Sequence, residues 1–271
     1  MGRTIAIANQ KGGVGKTTTC INLAASLAAT KRRILLVDLD PQGNATMGSG
    51  INKNDLELTT CDLLLGEASV AQILRRSEGI GYDVLPANSD LTAAEVSLMN
   101  SADRERKLRD CLQNVRDQYD YILVDCPPSL NMLTLNALVA AQSVMIPMQC
   151  EYYALEGLSA LLNTIERIRS SVNPELKVEG LLRTMFDPRN NLANDVSGQL
   201  LVHFPKQVYR TVIPRNVRLA EAPSHGIPVI NYDKSSRGAL AYLALAGEIL
   251  RKDQDLQAAQ QANLMGAGGA V

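Results

Sequence analysis

The 271-residue chain predicts an α/β fold: a single domain built on a mostly parallel, twisted sheet flanked by helices. Three observations predict it. Short apolar runs alternate with helical patterns, the arrangement that crossover connections impose on parallel strands. Two of the runs, Ile34 to Asp38 and Tyr121 to Asp125, are apolar without alternation, as strands buried on both faces are. The first run, Thr4 to Ala8, passes directly into a glycine-rich loop and then a helical pattern. With 46% hydrophobic and 20% charged residues, the chain reads as globular and long enough for a sizeable core.

The elements follow in order. Residues 4–8 read as a strand, 17–29 as a helix and 34–38 as a strand. Helices are expected over 62–76 and 101–117, flanking a short strand at 82–85. A strand at 121–125, a helix at 133–141 and a strand at 143–147 continue the alternation. Residues 155–171 place Leu158, Leu161, Leu162, Ile165 and Ile168 at helical spacing, a stripe for core or subunit packing. A strand at 178–185 follows, and a helix at 238–250 closes the fold. The Gln/Ala/Gly-rich stretch 253–271 lacks a core pattern and is expected to be a flexible tail.

The loop Gln10-Lys11-Gly12-Gly13-Val14-Gly15-Lys16-Thr17-Thr18 carries the chemistry. In a strand–loop–helix context its backbone N–H groups and the helix N-terminus form a concave anion site. Together with the alternation this predicts a P-loop NTPase. Lys16 is placed to reach β- and γ-phosphates, and the Thr17 hydroxyl to ligate Mg²⁺. The standard pattern asks for glycine where this chain has Gln10, and the chain adds a second lysine, Lys11. At the loop's outer edge Lys11 is placed either to reach a phosphate held by a second subunit, as an arginine finger does, or simply to sit in solvent. Two further acids end apolar strands: Asp38, followed two residues on by Asp40, and Asp125, where a metal-holding acid belongs. The loops 40–50 and 126–132 follow these acids and are placed to sense the γ-phosphate.

The set Lys11 to Thr17, Asp38-Leu39-Asp40-Pro41-Gln42-Gly43-Asn44 and Asp125-Cys126-Pro127-Pro128-Ser129 resembles the deviant Walker A ATPases, and within them the ParA/Soj chromosome-partitioning family. Residues 151–157 and 213–224 extend the resemblance, which spans roughly residues 3–250. It implies an Mg²⁺-dependent ATPase domain over residues 1–252. It implies that Lys11 crosses a homodimer interface, that Gly12 lets two loops approach face to face, and that Asp40 orients the attacking water and lies at the metal site. It implies that Pro214 and Asn216 contact adenine, and that Thr17 and Asp125 serve the metal. The nucleotide site then comprises residues 11–18 with Pro214 and Asn216, and the catalytic set is Lys11, Lys16 and Asp40. A ParB-type centromere-binding partner is implied by the resemblance alone.

Net charge is −1, which announces no nucleic-acid binder, yet an average hides local surfaces. Residues 183–237 hold eight lysines and arginines against four acids. That excess fits sequence-independent contact with phosphate backbones. The resemblance implies non-specific double-stranded DNA binding by the ATP-bound dimer, with Arg189 and Arg218 as contacts and Arg215 as a further candidate. Trp is absent and Phe numbers two, so base stacking on aromatics is not expected. No preceding DNA-reading extension is seen, so a sequence-specific operator reader is not expected.

The cysteines at 20, 61, 111, 126 and 150 form no C-x-x-C pair, which argues against zinc, disulfide and iron–sulfur frameworks. No leader peptide or membrane span is expected, and the cytoplasm, with nucleoid association, is the expected location. The competing reading is a MinD-like ATPase that positions division machinery at a membrane. Against it stand residues 214–224 and a tail with no basic residue after Lys252. A metabolic ATP-dependent ligase or reductase is a further rival, for which no substrate constellation is found.

Overall fold

The structure is a computed structural model that describes residues 2–76 and 79–267, without the side chains of 260–267. Strand β1 (Arg3–Ile7) leads through the glycine-rich loop to α1 (Lys16–Ala28), β2 (Ile34–Asp38) and the short helix α2 (Asn44–Gly48). Next come α3 (Thr60–Leu65), α4 (Val70–Ile73), β3 (Arg75–Arg76), β4 (Asp83–Leu85), α5 (Leu91–Leu98) and α6 (Lys107–Gln113). The centre continues with β5 (Tyr121–Asp125), α7 (Met132–Ala140), β6 (Ser143–Met148), α8 (Ala154–Ser171) and β7 (Lys177–Phe186). The chain closes with α9 (Asn191–His203), β8 (Val208–Pro214), α10 (Val217–Glu221), α11 (Val229–Tyr232) and α12 (Arg237–Ala267).

The eight strands form one sheet in the order β3-β4-β2-β5-β1-β6-β7-β8. Every pairing is parallel except β3 with β4. Alternate residues of the central strands feed two separate cores. Ala6, Leu35, Val37, Ile122 and Val124 pack on one side with α5, α7 and α8. Ile5, Ile7, Ile34, Leu36 and Leu123 pack on the other with α1 and α12. Both faces are covered, which is why these strands are apolar throughout. In α8, Leu158, Leu161, Ile165 and Ile168 are buried in the first core and Leu162 packs against it, so the stripe is core.

Three stretches depart from expectation. The helix expected over 62–76 is two helices and a strand residue pair. The Thr59/Asp62 capping box starts α3, Gly66 at φ 79° ends it, and a Ser69/Gln72 box starts α4. Residues 77–78 lie outside the described residues. The helix expected over 101–117 is α6 followed by a 3₁₀ turn at Arg116–Gln118; Asp103, at φ 53°, keeps α6 from starting earlier, while α5 precedes it unforeseen. Helix α12 does not stop at Leu250 but runs to Ala267. Its Gln/Ala/Leu-rich continuation is built of good helix formers, and Asp253 accepts hydrogen bonds from Arg3 and from Tyr121, the latter at 2.5 Å. Residues 268–271 of the expected tail lie outside the described residues. The expected strands and the helices α1, α7 and α8 fall within a residue or so of their observed limits, whereas α9, β8, α10 and α11 were not foreseen.

Candidate nucleotide site

Parallel pairing aligns the strand ends that carry the chemistry. Ile7 is opposite Asp125, and Asp125 is opposite Asp38, so loop and acids emerge side by side at one edge of the sheet. Gly13 and Gly15 take φ 75° and 87°, a left-handed conformation that favours glycine. Gly15 caps α1 with no side-chain hydrogen bond to the first turn, which leaves helix N–H groups free for an anion. The loop is held from outside its own strand. The Thr184 hydroxyl, near the end of β7, donates to the Val14 carbonyl at 2.8 Å. Lys16 is buried, and its Nζ donates to the Lys11 carbonyl at 3.3 Å. Burial lowers the Lys16 pKa, while Asp125, Cys126 and Asp40 counter that by favouring the charged ammonium.

The three acids differ in their partners. Asp38 is fully buried and its carboxylate is engaged. One oxygen accepts from the Asp40 amide at 3.1 Å, the other from the Thr46 amide and hydroxyl, both at 2.8 Å. Burial raises its pKa to about 6 against the opposing pull of those bonds. Asp40 is 8% exposed and accepts from the Gln42 amide at 2.9 Å. Asp125 is fully buried, and among the described residues neither carboxylate oxygen has a well-formed hydrogen bond, the Thr17 hydroxyl being its nearby donor. Burial pushes its pKa well up, Asp38 adds to the rise, and Thr17 and Lys16 pull against it. An orphaned buried acid beside the phosphate loop fits an Mg²⁺ site. Among the described residues no group of three or more His, Cys, Asp or Glu is gathered to hold a metal. Mg²⁺ does not require such a cage; it takes one or two carboxylates and completes its shell from phosphates and water.

A cleft of about 500 Å³ opens on this edge. Gly12, Gly13, Gly15, Lys16, Thr17, Thr18 and Asp40 line it, and so do Pro214 and Asn216 from the far end of the sheet. The fold thus joins the phosphate loop to the segment 214–216 some 200 residues away in sequence. Among the described residues the buried Asn216 side-chain oxygen has no hydrogen-bond partner. Val14 is buried behind the loop. Lys11 lies outside the cleft, half exposed, with its ammonium 2.5 Å from Glu151. Thr184, Met185 and Tyr242 also line the cleft and were missed in the sequence; Thr184 and Met185 had a signal, their place at a strand's carboxyl end. A larger cavity of about 700 Å³, beside α7 and α8, holds neither the loop nor the acids, so the smaller one carries the site.

The three candidate DNA-contacting arginines are exposed, but two already hold acids of their own chain. Arg189 makes a bidentate pair with Asp187, at 3.0 and 2.7 Å. Its guanidinium brings the Asp187 pKa down to about 2. Arg218 lies 2.8 Å from Glu221 and 3.4 Å from Asp233. Arg215 forms no ion pair among the described residues, though its charge also favours ionised Asp187.

A family model described as an AAA domain matches residues 2–178. The chain is 54% identical to the chromosome partitioning protein ParA of Myxococcus xanthus, covering 93% of this chain and 89% of that one. It is also 54% identical to the sporulation initiation inhibitor protein Soj of Bacillus subtilis, covering 92% and 98%. The chain belongs to the ParA/Soj family of chromosome-partitioning ATPases. It is accordingly an ATPase, and its glycine-rich loop lines the cleft. Among solved structures it is similar to a cobyrinic acid a,c-diamide synthase from Mycobacterium smegmatis with a bound ATP analogue and magnesium. That likeness has 38% identity and a TM-score of 0.83, covering 94% of this chain and 96% of that one. It is similar also to the cell-division ATPase MinD of Pyrococcus furiosus, at 26% identity and a TM-score of 0.77, covering 93% and 99%.

Proposed function

We propose that this ATPase is a dimerisation switch for chromosome or plasmid partitioning: it binds double-stranded DNA non-specifically when ATP-bound and releases it on hydrolysis. The observation that carries the reading is the cleft itself. Gly12, Lys16, Thr17, Asp40, Pro214 and Asn216 line one cavity, the charge of the buried Asp125 acts on Lys16, and Arg215 and Arg218 flank Asn216 in sequence and are exposed.

In this reading Lys16 and the loop amides hold the β- and γ-phosphates, and Pro214 and Asn216 receive adenine, whose amino group suits the unpartnered Asn216 oxygen. Thr17, Asp40 and Asp125 provide the metal site, and Mg²⁺ bound there would neutralise charge developing on the phosphates. Asp40 orients the attacking water. Lys11 leaves Glu151 and crosses to the phosphates of a second subunit. Two subunits then present paired surfaces carrying Arg189, Arg215 and Arg218, and doubled phosphate contacts give the dimer an avidity that a monomer lacks. A ParB-type protein is the expected partner, and the nucleoid the expected location. The names of the M. xanthus and B. subtilis relatives favour this reading over a metabolic enzyme.

The test is binding to arbitrary double-stranded DNA with ATP, ADP or no nucleotide across a salt series, with anionic liposomes in parallel. Tight, salt-sensitive DNA binding with ATP alone is expected. The likeness to MinD makes a membrane-associated ATPase the second reading. Among the described residues no helix is long and apolar enough to cross a membrane, but surface attachment needs none, so ATP-dependent liposome binding without DNA binding would replace the first reading with the second.

A further inference from the structure

Thr46 lies in α2, fully buried, outside the lining of the cleft. Its hydroxyl donates to Asp38 at 2.8 Å and accepts from the Ala87 amide, just past β4, at 2.8 Å. An amide N–H can only donate, so the hydroxyl's single proton must go to Asp38, and the rotor has one setting. Asp38 passes the constraint on, because its other oxygen holds the Asp40 amide at 3.1 Å. The intervening turn is closed by Gln42 N–H on the Asp40 carboxylate at 2.9 Å and Gly43 N–H on the Asp40 carbonyl at 2.8 Å. A Cβ at Gly43 would stand 2.6 Å from the Ala87 carbonyl. The loop after β2 therefore rests on residue 87 at two points, and Asp40, largely buried, lines the cleft from it.

From this chain of contacts we infer that Thr46 is a positioning residue for hydrolysis, whose hydroxyl fixes the Asp40 carboxylate by way of Asp38 and the Ala87 amide. The inference rests on the proposed role of Asp40 in orienting water. A water-orienting group must be held to within a fraction of an ångström, and a displacement of about 1 Å costs on the order of a hundredfold in rate. The phosphate loop is anchored separately, through Thr184, so its hold on the phosphates is not routed through Thr46.

The experiment compares wild type, Thr46→Val, Thr46→Ser and Asp40→Ala as full chains, by Mg²⁺-ATP turnover, binding of a fluorescent ATP analogue and thermal melting. Thr46→Val keeps the shape and removes the hydroxyl. It is expected to bind ATP within about threefold of wild type while kcat falls about tenfold or more, and Thr46→Ser restores kcat to within about threefold. Unchanged turnover in Thr46→Val overturns the inference, and so does parallel loss of ATP affinity and kcat that Thr46→Ser fails to restore. Should Thr46→Val not fold, Thr46→Ser against Thr46→Ala, which differ by the hydroxyl alone, carries the same comparison. Wild-type turnover in Asp40→Ala would instead overturn the role of Asp40 itself, and is read separately.

Discussion

Replacing Gly12 by valine separates what one subunit needs from what two need. Gly12 is exposed, takes no left-handed φ, and a Cβ there would meet no atom of the described residues within 4 Å beyond its own chain neighbours. In the free subunit Gly12→Val should therefore change stability by no more than about 0.5 kcal/mol, with ATP affinity within about twofold. In a two-fold symmetric dimer with loops face to face, both valines enter the same contact. Overpacking costs about 1–3 kcal/mol per residue, so the pair costs roughly 2–6 kcal/mol. At 1.4 kcal/mol per tenfold, the dimer dissociation constant rises on the order of 10- to 10⁴-fold. The assay is sedimentation with Mg²⁺-ATP in an Asp40→Ala background, where on the proposed role of Asp40 hydrolysis is not expected to dissolve a dimer, alongside fluorescent-nucleotide binding. A Gly12→Val protein that dimerises at the parental concentration refutes the face-to-face geometry. One that loses ATP affinity refutes the reasoning from open space. Gly13→Val is the internal contrast. Its surroundings are equally open, but its φ of 75° makes any side chain cost about 1–2 kcal/mol in the subunit itself.

Lys16→Ala should abolish ATP binding, and retained affinity by calorimetry would reject the assignment of the cleft. Arg189→Ala combined with Arg218→Ala should leave ATP-driven dimerisation intact and lower the slope of log affinity against log salt by at most about 0.9 per arginine; an unchanged slope puts the DNA surface elsewhere. For Asp187, whose pKa is lowered from 3.8 to about 2 by Arg189, the ion pair contributes fully above the unfolded value and is lost as pH falls through about 2. A carboxyl NMR titration should show that midpoint, and Arg189→Ala should return it toward 3.8; a midpoint that stays put contradicts the pairing. Asp253→Ala removes the hydrogen bonds from Arg3 and Tyr121, which should cost about 2 kcal/mol and speed amide exchange across 253–267. Exchange there that is already fast in the wild type would instead support the reading of this stretch as a mobile tail.

Much of the sheet was legible because a strand buried on both faces must be apolar throughout, and Ile34 to Val37 and Tyr121 to Val124 are. The site was legible where its parts lie in one motif. It was not legible where partners come from afar. Asp38 and Asp125 look alike in sequence, each an acid ending an apolar run, yet one is saturated and the other orphaned. The difference is made by Thr46, eight residues on, and by a loop that returns to Asp38 and not to Asp125. Thr184 joins the loop across 170 residues, a separation that no local pattern encodes. The broken helix at 60–73 was readable, since Thr59/Asp62 and Ser69/Gln72 are capping boxes with a glycine between them. Helical periodicity across that glycine outweighed them.

The ion pairs on the cations proposed to meet a second molecule have a consequence for selectivity. Of the four side chains assigned to a second molecule, Lys11, Arg189 and Arg218 each rest on a carboxylate of their own chain. Contact with a phosphate is then an exchange of one anion for another, and the abandoned carboxylate must be rehydrated and draws a cation back from solution. A stray polyanion meeting one such arginine gains little over what it displaces. Several exchanges made together, as by two subunits on one duplex in the proposed reading, do gain. On the proposed reading a single subunit is therefore electrically quieter toward nucleic acid than its exposed arginines suggest, and its own acids set the threshold above which a pair of subunits responds.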